Sequence, residues 1–196
     1  MFEQIVLASS NSGKLKEFAA LFGTKNIKIL PQSQFGIPEC PEPHHTFLEN
    51  ALAKARHAAG RSGLPALADD SGICFPALGG APGVLSARFA GEPKSDAANN
   101  AKACKQLAEQ DDRSCYYVCV LVLLRHEHDP QPIVAEGIWR GTWQNQAAGS
   151  NGFGYDPHFF LSEYGCTAAE LSVEHKNIVS HRAQALQQLL AKIDRL

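Results

Sequence analysis

Ser114-Cys115-Tyr116-Tyr117-Val118-Cys119-Val120-Leu121-Val122-Leu123-Leu124 is a run of aliphatic, β-branched and aromatic side chains unbroken by glycine or proline. Such a composition favours extended chain. His128-Asp129-Pro130 then supplies turn chemistry, and 133–143 returns as a second strand, so the two stretches form a long hairpin. Working outward toward the N-terminus, Asp96 and its neighbours over 95–109 read as a polar helix. Before it lie Gly79-Gly80-Ala81-Pro82-Gly83, a loop, and a short helix through Arg88. Residues 65–68 and 73–75 read as two short strands separated by Asp69-Asp70-Ser71-Gly72. Thr46-Phe47-Leu48-Glu49 has the form of a capping box and opens a helix to about residue 61. The proline-rich stretch 31–45 interrupts regular structure. Residues 27–30 and 3–8 are further strands. Between them Leu15, Phe18, Ala19 and Phe22 repeat at helical spacing. Toward the C-terminus, the glycine-rich loop 149–154 precedes one helix over about 174–194, with Ile178, Ala185, Leu189 and Ile193 on one stripe. Helices that alternate with strands early and a hairpin that comes late predict an α/β fold built on a mixed sheet.

The 196 residues suit a single domain over 1–196, or a compact pair of lobes sharing a cleft. With 44% hydrophobic and 19% charged residues, the composition is that of a globular protein, and a net charge of −2 argues against a broad nucleic-acid-binding face. No apolar run reaches the roughly 20 residues that span a bilayer. Met1-Phe2-Glu3-Gln4 lacks the basic start of a signal peptide, so a cytoplasmic address is expected. The six cysteines show no Cys-x-x-Cys spacing, and several sit in apolar runs, where packing explains them better than metal binding. His44-His45 and His126-x-His128 lie in turn-like segments with no suitably spaced third ligand, and are read as surface histidines.

Four segments carry candidate chemistry. Ser9, Ser10, Asn11, Ser12, Gly13 and Lys14 lie between a strand and a helix N-terminus, where free N–H groups and the helix dipole favour an anion. They form either a phosphate cradle or a plain capped helix start. This is not a Walker A loop, because Leu15 follows the lysine where Ser or Thr is required. Asp69 and Asp70 leave an apolar run as neighbours on a strand, so their carboxylates face opposite ways. One can bind a hard cation and accept a proton from water, while the other is left to orient the loop; a simple turn is the alternative. In Gly152-Phe153-Gly154-Tyr155-Asp156-Pro157 an aromatic between glycines can present a flat face to a nucleobase, or pack on the core. Lys176, His181 and Arg182 are hydrogen-bond donors that would welcome a 6-keto purine and reject the N6 amine of adenine; a solvated helical face is the alternative. Glu42 and Glu49 are further acids, the latter also explained by its capping box.

Together, in order and spacing, these segments resemble the XTP/dITP pyrophosphatase family, the non-standard purine NTP pyrophosphatases. The resemblance rests on residues 7–14, Thr46-Phe47-x-Glu49-Asn50-Ala51-x-x-Lys54-Ala55, Ala68-Asp69-Asp70-Ser71-Gly72, Gly79-Gly80-Ala81-Pro82-Gly83-x-x-Ser86-Ala87-Arg88, Gly152 to Pro157 and Ser180-His181-Arg182. It implies a two-lobed α/β fold with a central active-site cleft, and a homodimer. It implies an Mg2+-dependent hydrolase that converts dITP, ITP, XTP and dXTP to the monophosphate and pyrophosphate, clearing deaminated purines from the nucleotide pool. Residues 9–14 would hold the triphosphate. Asp70 would be general base and metal ligand, Glu42 a second metal acid, and Ser71 a substrate contact. Phe153, Gly154, Tyr155 and Asp156 would line the base pocket, Lys176, His181 and Arg182 would complete recognition, and Lys54 would be a weaker phosphate contact.

The chain departs from the family pattern at Glu42-Pro43-His44-His45-Thr46-Phe47, where the family has Glu-Thr-Gly-x-Thr-Phe. Proline stiffens the loop beside the proposed metal acid. His175 also replaces the usual acid before Lys176. Two rivals are a pyrophosphatase for modified pyrimidine nucleotides, as in Maf-type proteins, and a nucleotide sensor that binds without hydrolysis.

Overall fold

The computed structural model describes residues 2–9, 12–23 and 25–195, with 12, 13, 16, 17, 20 and 21 described by backbone alone. Among the described residues, seven strands make one mixed sheet in the order β2-β1-β3-β4-β5-β6-β7. They are β1 (Gln4–Leu7), β2 (Lys28–Pro31), β3 (Ala66–Cys74), β4 (Ser114–Leu124), β5 (Ile133–Trp143), β6 (Phe159–Leu161) and β7 (Cys166–Thr167). β1 is parallel to β2 and to β3, with Leu7 opposite Pro31 and Leu67; β5, β6 and β7 pair antiparallel. The helices are α1 (Ser12–Gly23), α2 (Phe47–Ser62), α3 (Asp96–Leu107), α4 (Val173–Val179) and α5 (His181–Ile193). No helix among the described residues is long and apolar enough to cross a membrane.

The hairpin strands have the bounds that the sequence predicts, but β3 does not. Residues 66–74 form one continuous strand instead of two short strands flanking a turn. Asp, Ser and Gly favour turns when the backbone has nothing else to bond. Here β3 lies between β1 and β4 in the sheet, paired with β1 at Ala66 and Leu67, and further on the Ile73 N–H is taken by the Ser86 hydroxyl, so the chain stays extended against that preference.

The C-terminal helix is likewise two. Ser180 is extended (φ −67°, ψ 162°); its N–H closes α4 on the Lys176 carbonyl, and its hydroxyl accepts the Ala183 N–H at 3.3 Å to cap α5. The apolar stripe therefore starts again in α5 at Ala185 and Leu189, both fully buried, while Ile178 is exposed.

Contacts divide the chain into two compact units. The first comprises Met1–Asp70, Val120–Glu136 and Ala185–Leu196. Its core contains Ile5, Val6 and Leu7 of β1, Phe18 and Phe22 of α1, and Leu67 of β3. α2 turns Ala51, Ala55, Ala58 and Ala59 inward, a small-residue face that permits close approach, and Asn50 shares it. Thr46 caps α2 by accepting the Glu49 N–H at 3.2 Å and donating its hydroxyl to the Glu49 carboxylate at 2.7 Å, which assigns Glu49 to the capping box.

The second unit comprises Ser71–Cys119 and Gly137–Gln184. Its core is aromatic: Phe75 meets Trp143 edge-on at 5.2 Å, and Tyr117 lies 4.7 Å from Phe159. The six cysteines are free thiols; Cys74, Cys115 and Cys119 are buried, and Cys40, Cys104 and Cys166 partly so.

Candidate active site

In the first unit, adjacent carboxylates of β3 meet different helices, as strand alternation requires. Asp69, with its side chain fully buried, forms an ion pair with Lys14 of α1. The second acid, expected to be free to orient the loop, instead holds the lysine proposed for the phosphate cradle. Ser10 and Asn11 of that cradle lie outside the described residues, as does the Ser12 side chain; Ser9 is half-buried.

Asp70 faces α2. Its Oδ1 accepts from Lys54 Nζ at 2.8 Å, and the same ammonium donates to Glu42 Oε1 at 2.7 Å. Its Oδ2 has Asn50 Nδ2 at 3.5 Å, the long limit of a hydrogen bond, so this oxygen retains acceptor capacity. Asn50 also clamps the loop before α2, accepting the His44 N–H at 3.0 Å and donating to the His44 carbonyl at 3.2 Å. Pro43 and the histidines thus leave Glu42 within one lysine of Asp70. Burial pushes the Asp70 carboxyl above its ordinary range, Lys54 pulls it down, and Glu42 and Asp69 add to the rise. Burial also opposes the charge of Lys54, but Asp70 and Glu42 outweigh it and raise the ammonium's pKa.

Lys54, a lesser candidate from sequence, is therefore the hub of this cluster, and Asn50 had no signal beyond its place in the capping-box segment. Among the described residues no group of three His, Cys, Asp or Glu side chains could enclose a metal ion. The pair Asp70 and Glu42 suits a hard divalent cation that takes one or two carboxylates from protein and its other oxygens from water and phosphates.

In the second unit, the loop from Gly152 to Asp156 is organised by one buried carboxylate. Asp156 Oδ2 accepts the Phe153 N–H at 2.9 Å and pairs with Lys176. Gly152 has φ +79°, and a Cβ there would stand 2.2 Å from Asp156 Oδ2 and 2.9 Å from Lys176 Nζ. Only glycine allows this turn and this approach. α3 holds the next peptide from both sides: Asp96 Oδ2 accepts the Gly154 N–H at 2.8 Å, and Asn100 Nδ2 donates to the Gly154 carbonyl at 3.0 Å. So fixed, Phe153 is 57% exposed, an unusual position for an aromatic, with Lys176 Nζ 5.3 Å from its ring centroid.

Tyr155 turns the other way: it is buried, and its hydroxyl donates to the Ser86 carbonyl at 2.7 Å. This side chain packs in the aromatic core of the unit. Ser86 itself accepts the Ile73 N–H at 2.9 Å and donates to the Gly83 carbonyl at 2.6 Å, which explains the serine of the Gly79–Arg88 segment structurally.

His181 and Arg182 do not lie on a solvated helical face. Both are buried at the start of α5, and the His181 ring stacks on Tyr117 at 4.7 Å with an interplanar angle of 9°. Tyr117, Asp96 and Asn100 are contributors that the sequence analysis missed. Tyr117 was hidden in an apolar strand and the other two in an ordinary polar helix.

The Ham1 family model matches residues 5–192. A dITP/XTP pyrophosphatase of Chromobacterium violaceum is 64% identical over 100% of both chains, and one of Neisseria meningitidis serogroup A is 66% identical over 97% of this chain and 96% of its own. Among solved structures, a HAM1 protein from Coxiella burnetii superposes with a TM-score of 0.95 at 46% identity, covering 100% of both chains. A nucleoside-triphosphatase / dITP/XTP pyrophosphatase from Mycobacterium abscessus superposes with a TM-score of 0.79 at 38% identity, covering 97% and 99%.

Proposed function

The chain belongs to the Ham1 family, and from that premise we propose that it hydrolyses non-standard purine nucleoside triphosphates (dITP, ITP, XTP and dXTP) to the monophosphate and pyrophosphate. The observation that carries the proposal is the Lys54 ammonium shared by Asp70 and Glu42, a compact charged cluster with one carboxylate oxygen only weakly engaged. The names of the relatives at 64% and 66% identity supply the substrate class.

In this reading Asp70 accepts the proton of a water that attacks the α-phosphorus, in line with departing pyrophosphate. Its raised pKa brings it nearer to the operating pH of a base than an exposed aspartate would be. Asp70 and Glu42 would hold Mg2+, which when bound neutralises charge on the phosphate oxygens. Lys54 keeps the two carboxylates together. Residues 9–14 bind the triphosphate, and Lys14, steadied by Asp69, assists the leaving group. Ser71 contacts substrate. Phe153 stacks on the base, the backbone of 154–155 and the Asp156 carboxylate shape the loop beneath it, and Lys176, His181 and Arg182 supply donors for the 6-keto oxygen. Such donors leave adenine unpaired and so reject it. Clearance of deaminated purines, a cytoplasmic setting and a homodimer complete the proposal; the last is checked by light scattering on the eluting peak.

The test is pyrophosphate release with MgCl2 from a panel of dITP, ITP, XTP, dATP, dTTP and dUTP. The kcat/KM for dITP is expected to exceed that for dATP by at least about 100-fold, since mispaired donors discriminate strongly. Preference for dTTP or dUTP would instead indicate a pyrimidine enzyme, and tight binding without pyrophosphate a sensor.

A further inference from the structure

Tyr117 sits in β4 at the start of its buried apolar run, where a phenylalanine would pack equally well. A buried phenol without a partner is costly, so its hydroxyl needs an acceptor. That acceptor is Asp156 Oδ1, at 3.3 Å. The other oxygen of the same carboxylate takes the Phe153 N–H and Lys176. On its flat side the Tyr117 ring carries His181 at 4.7 Å, nearly parallel, while Phe159 at 4.7 Å and Trp139 at 6.5 Å hold the ring itself. Burial first, and then the Asp156 charge, push the phenol's pKa well above its ordinary value, so it stays a donor across the working range.

We propose that Tyr117 is the positioning residue of the base-recognition side: its hydroxyl fixes Asp156, its ring fixes His181, and it thereby aligns Phe153, Lys176 and His181 toward a purine. The inference rests on the function proposed above for its purine, but its structural half stands apart from it. The role assigned to Tyr117 is exerted through Asp156 and His181. One side chain with two torsions registers a loop and a helix start that are far apart in sequence, which is why the alignment survives in a segment rich in glycine.

Tyr117→Phe keeps the ring and deletes the hydroxyl. With dITP, KM is expected to rise about fivefold or more with kcat within about twofold, the pattern of lost binding rather than lost chemistry. Tyr117→Leu, which also removes the ring beneath His181, should raise KM further. p-Aminophenylalanine at position 117, nearly the same size and again a donor, should restore the wild-type KM. A readout independent of turnover is chymotryptic cleavage after the exposed Phe153 in nucleotide-free protein, expected to quicken about fivefold in Tyr117→Phe as the loop loosens.

Wild-type KM together with wild-type cleavage in Tyr117→Phe overturns the proposal, and so does a fall in kcat at unchanged KM. If the wild type hydrolyses no nucleotide, the proposed function fails, and the cleavage rate alone decides for or against Tyr117. If Tyr117→Phe does not fold, the p-aminophenylalanine protein decides, because a KM or cleavage rate differing from wild type by about fivefold contradicts a donor role.

Discussion

Lys54 Nζ lies 2.8 Å from Asp70 Oδ1, and its second short contact, at 2.7 Å, is Glu42 Oε1. Two carboxylates this close to one another repel unless a cation stands between them, and in this chain an α2 lysine provides it. The capping box at Thr46 fixes where α2 begins, and two helical turns on, Lys54 reaches β3. The proposed base is therefore placed by a helix start.

The first prediction concerns pH. The Asp70 carboxyl is held above the ordinary aspartate value, near 3.9, by burial, while Lys54 lowers it. A general base works only when ionised, so the acid limb of kcat/KM should lie above about pH 3.9. Lys54→Met removes the lowering influence, and the limb should move to higher pH while kcat/KM falls. A pH profile whose limb stays in place or moves down would show that Lys54 does not face the working carboxylate.

A second prediction tests the turn of the β4–β5 hairpin. Asp129 accepts from Arg125 N at 2.9 Å, Arg125 Nε at 2.8 Å, Arg125 Nη2 at 2.5 Å and Gln131 N at 3.0 Å, and its side chain is fully buried. The Arg125 guanidinium, with the two backbone N–H groups, holds this carboxyl far below the usual carboxylate range. Because the folded pKa is depressed, the stabilisation is complete above the unfolded value near 3.9 and disappears as pH falls through the folded value. Asp129→Asn should lower Tm at pH 7 by about 2–4 °C, and the gap to wild type should narrow in melts below about pH 3.9. An equal gap at pH 7 and pH 3 would contradict the assignment.

A third separates binding from packing at Phe153. With the residue 57% exposed, truncation removes little buried surface. Phe153→Ala should leave Tm within about 2 °C of wild type. It should raise KM for dITP about tenfold or more, as expected for a base–aromatic stack of about 1–3 kcal/mol. Unchanged KM, or a large fall in Tm, would return Phe153 to a packing role.

How much of this was legible beforehand varies with the physics of each element. β4 and β5 were read to the residue because an unbroken apolar run, a turn and a returning strand admit one arrangement. The start of α2 was legible because Thr46 and Glu49 announce a cap. The two errors have a common origin. Local preference breaks the strand at Asp69-Asp70-Ser71-Gly72 into two short ones, where the sheet keeps the chain extended throughout. Helical periodicity likewise joined Ile178 to Ala185, and gave no sign of a serine that ends one helix and caps the next. In the candidate site, Asp70, Glu42, Phe153 and Lys176 were picked out by residue type. Their partners were not: Asp69 with Lys14, Tyr117 with Asp156, and Asp96 and Asn100 with Gly154 are pairings that only tertiary structure creates.

The most direct test of the account is the turnover number for dITP of Asp70→Asn against wild type, with MgCl2 saturating and dITP binding measured alongside. The amide variant is expected to bind dITP still but to release pyrophosphate at least about 100-fold more slowly, the low end for removal of an acid/base group. Turnover within a few-fold of wild type would contradict it, and would place the base on another residue.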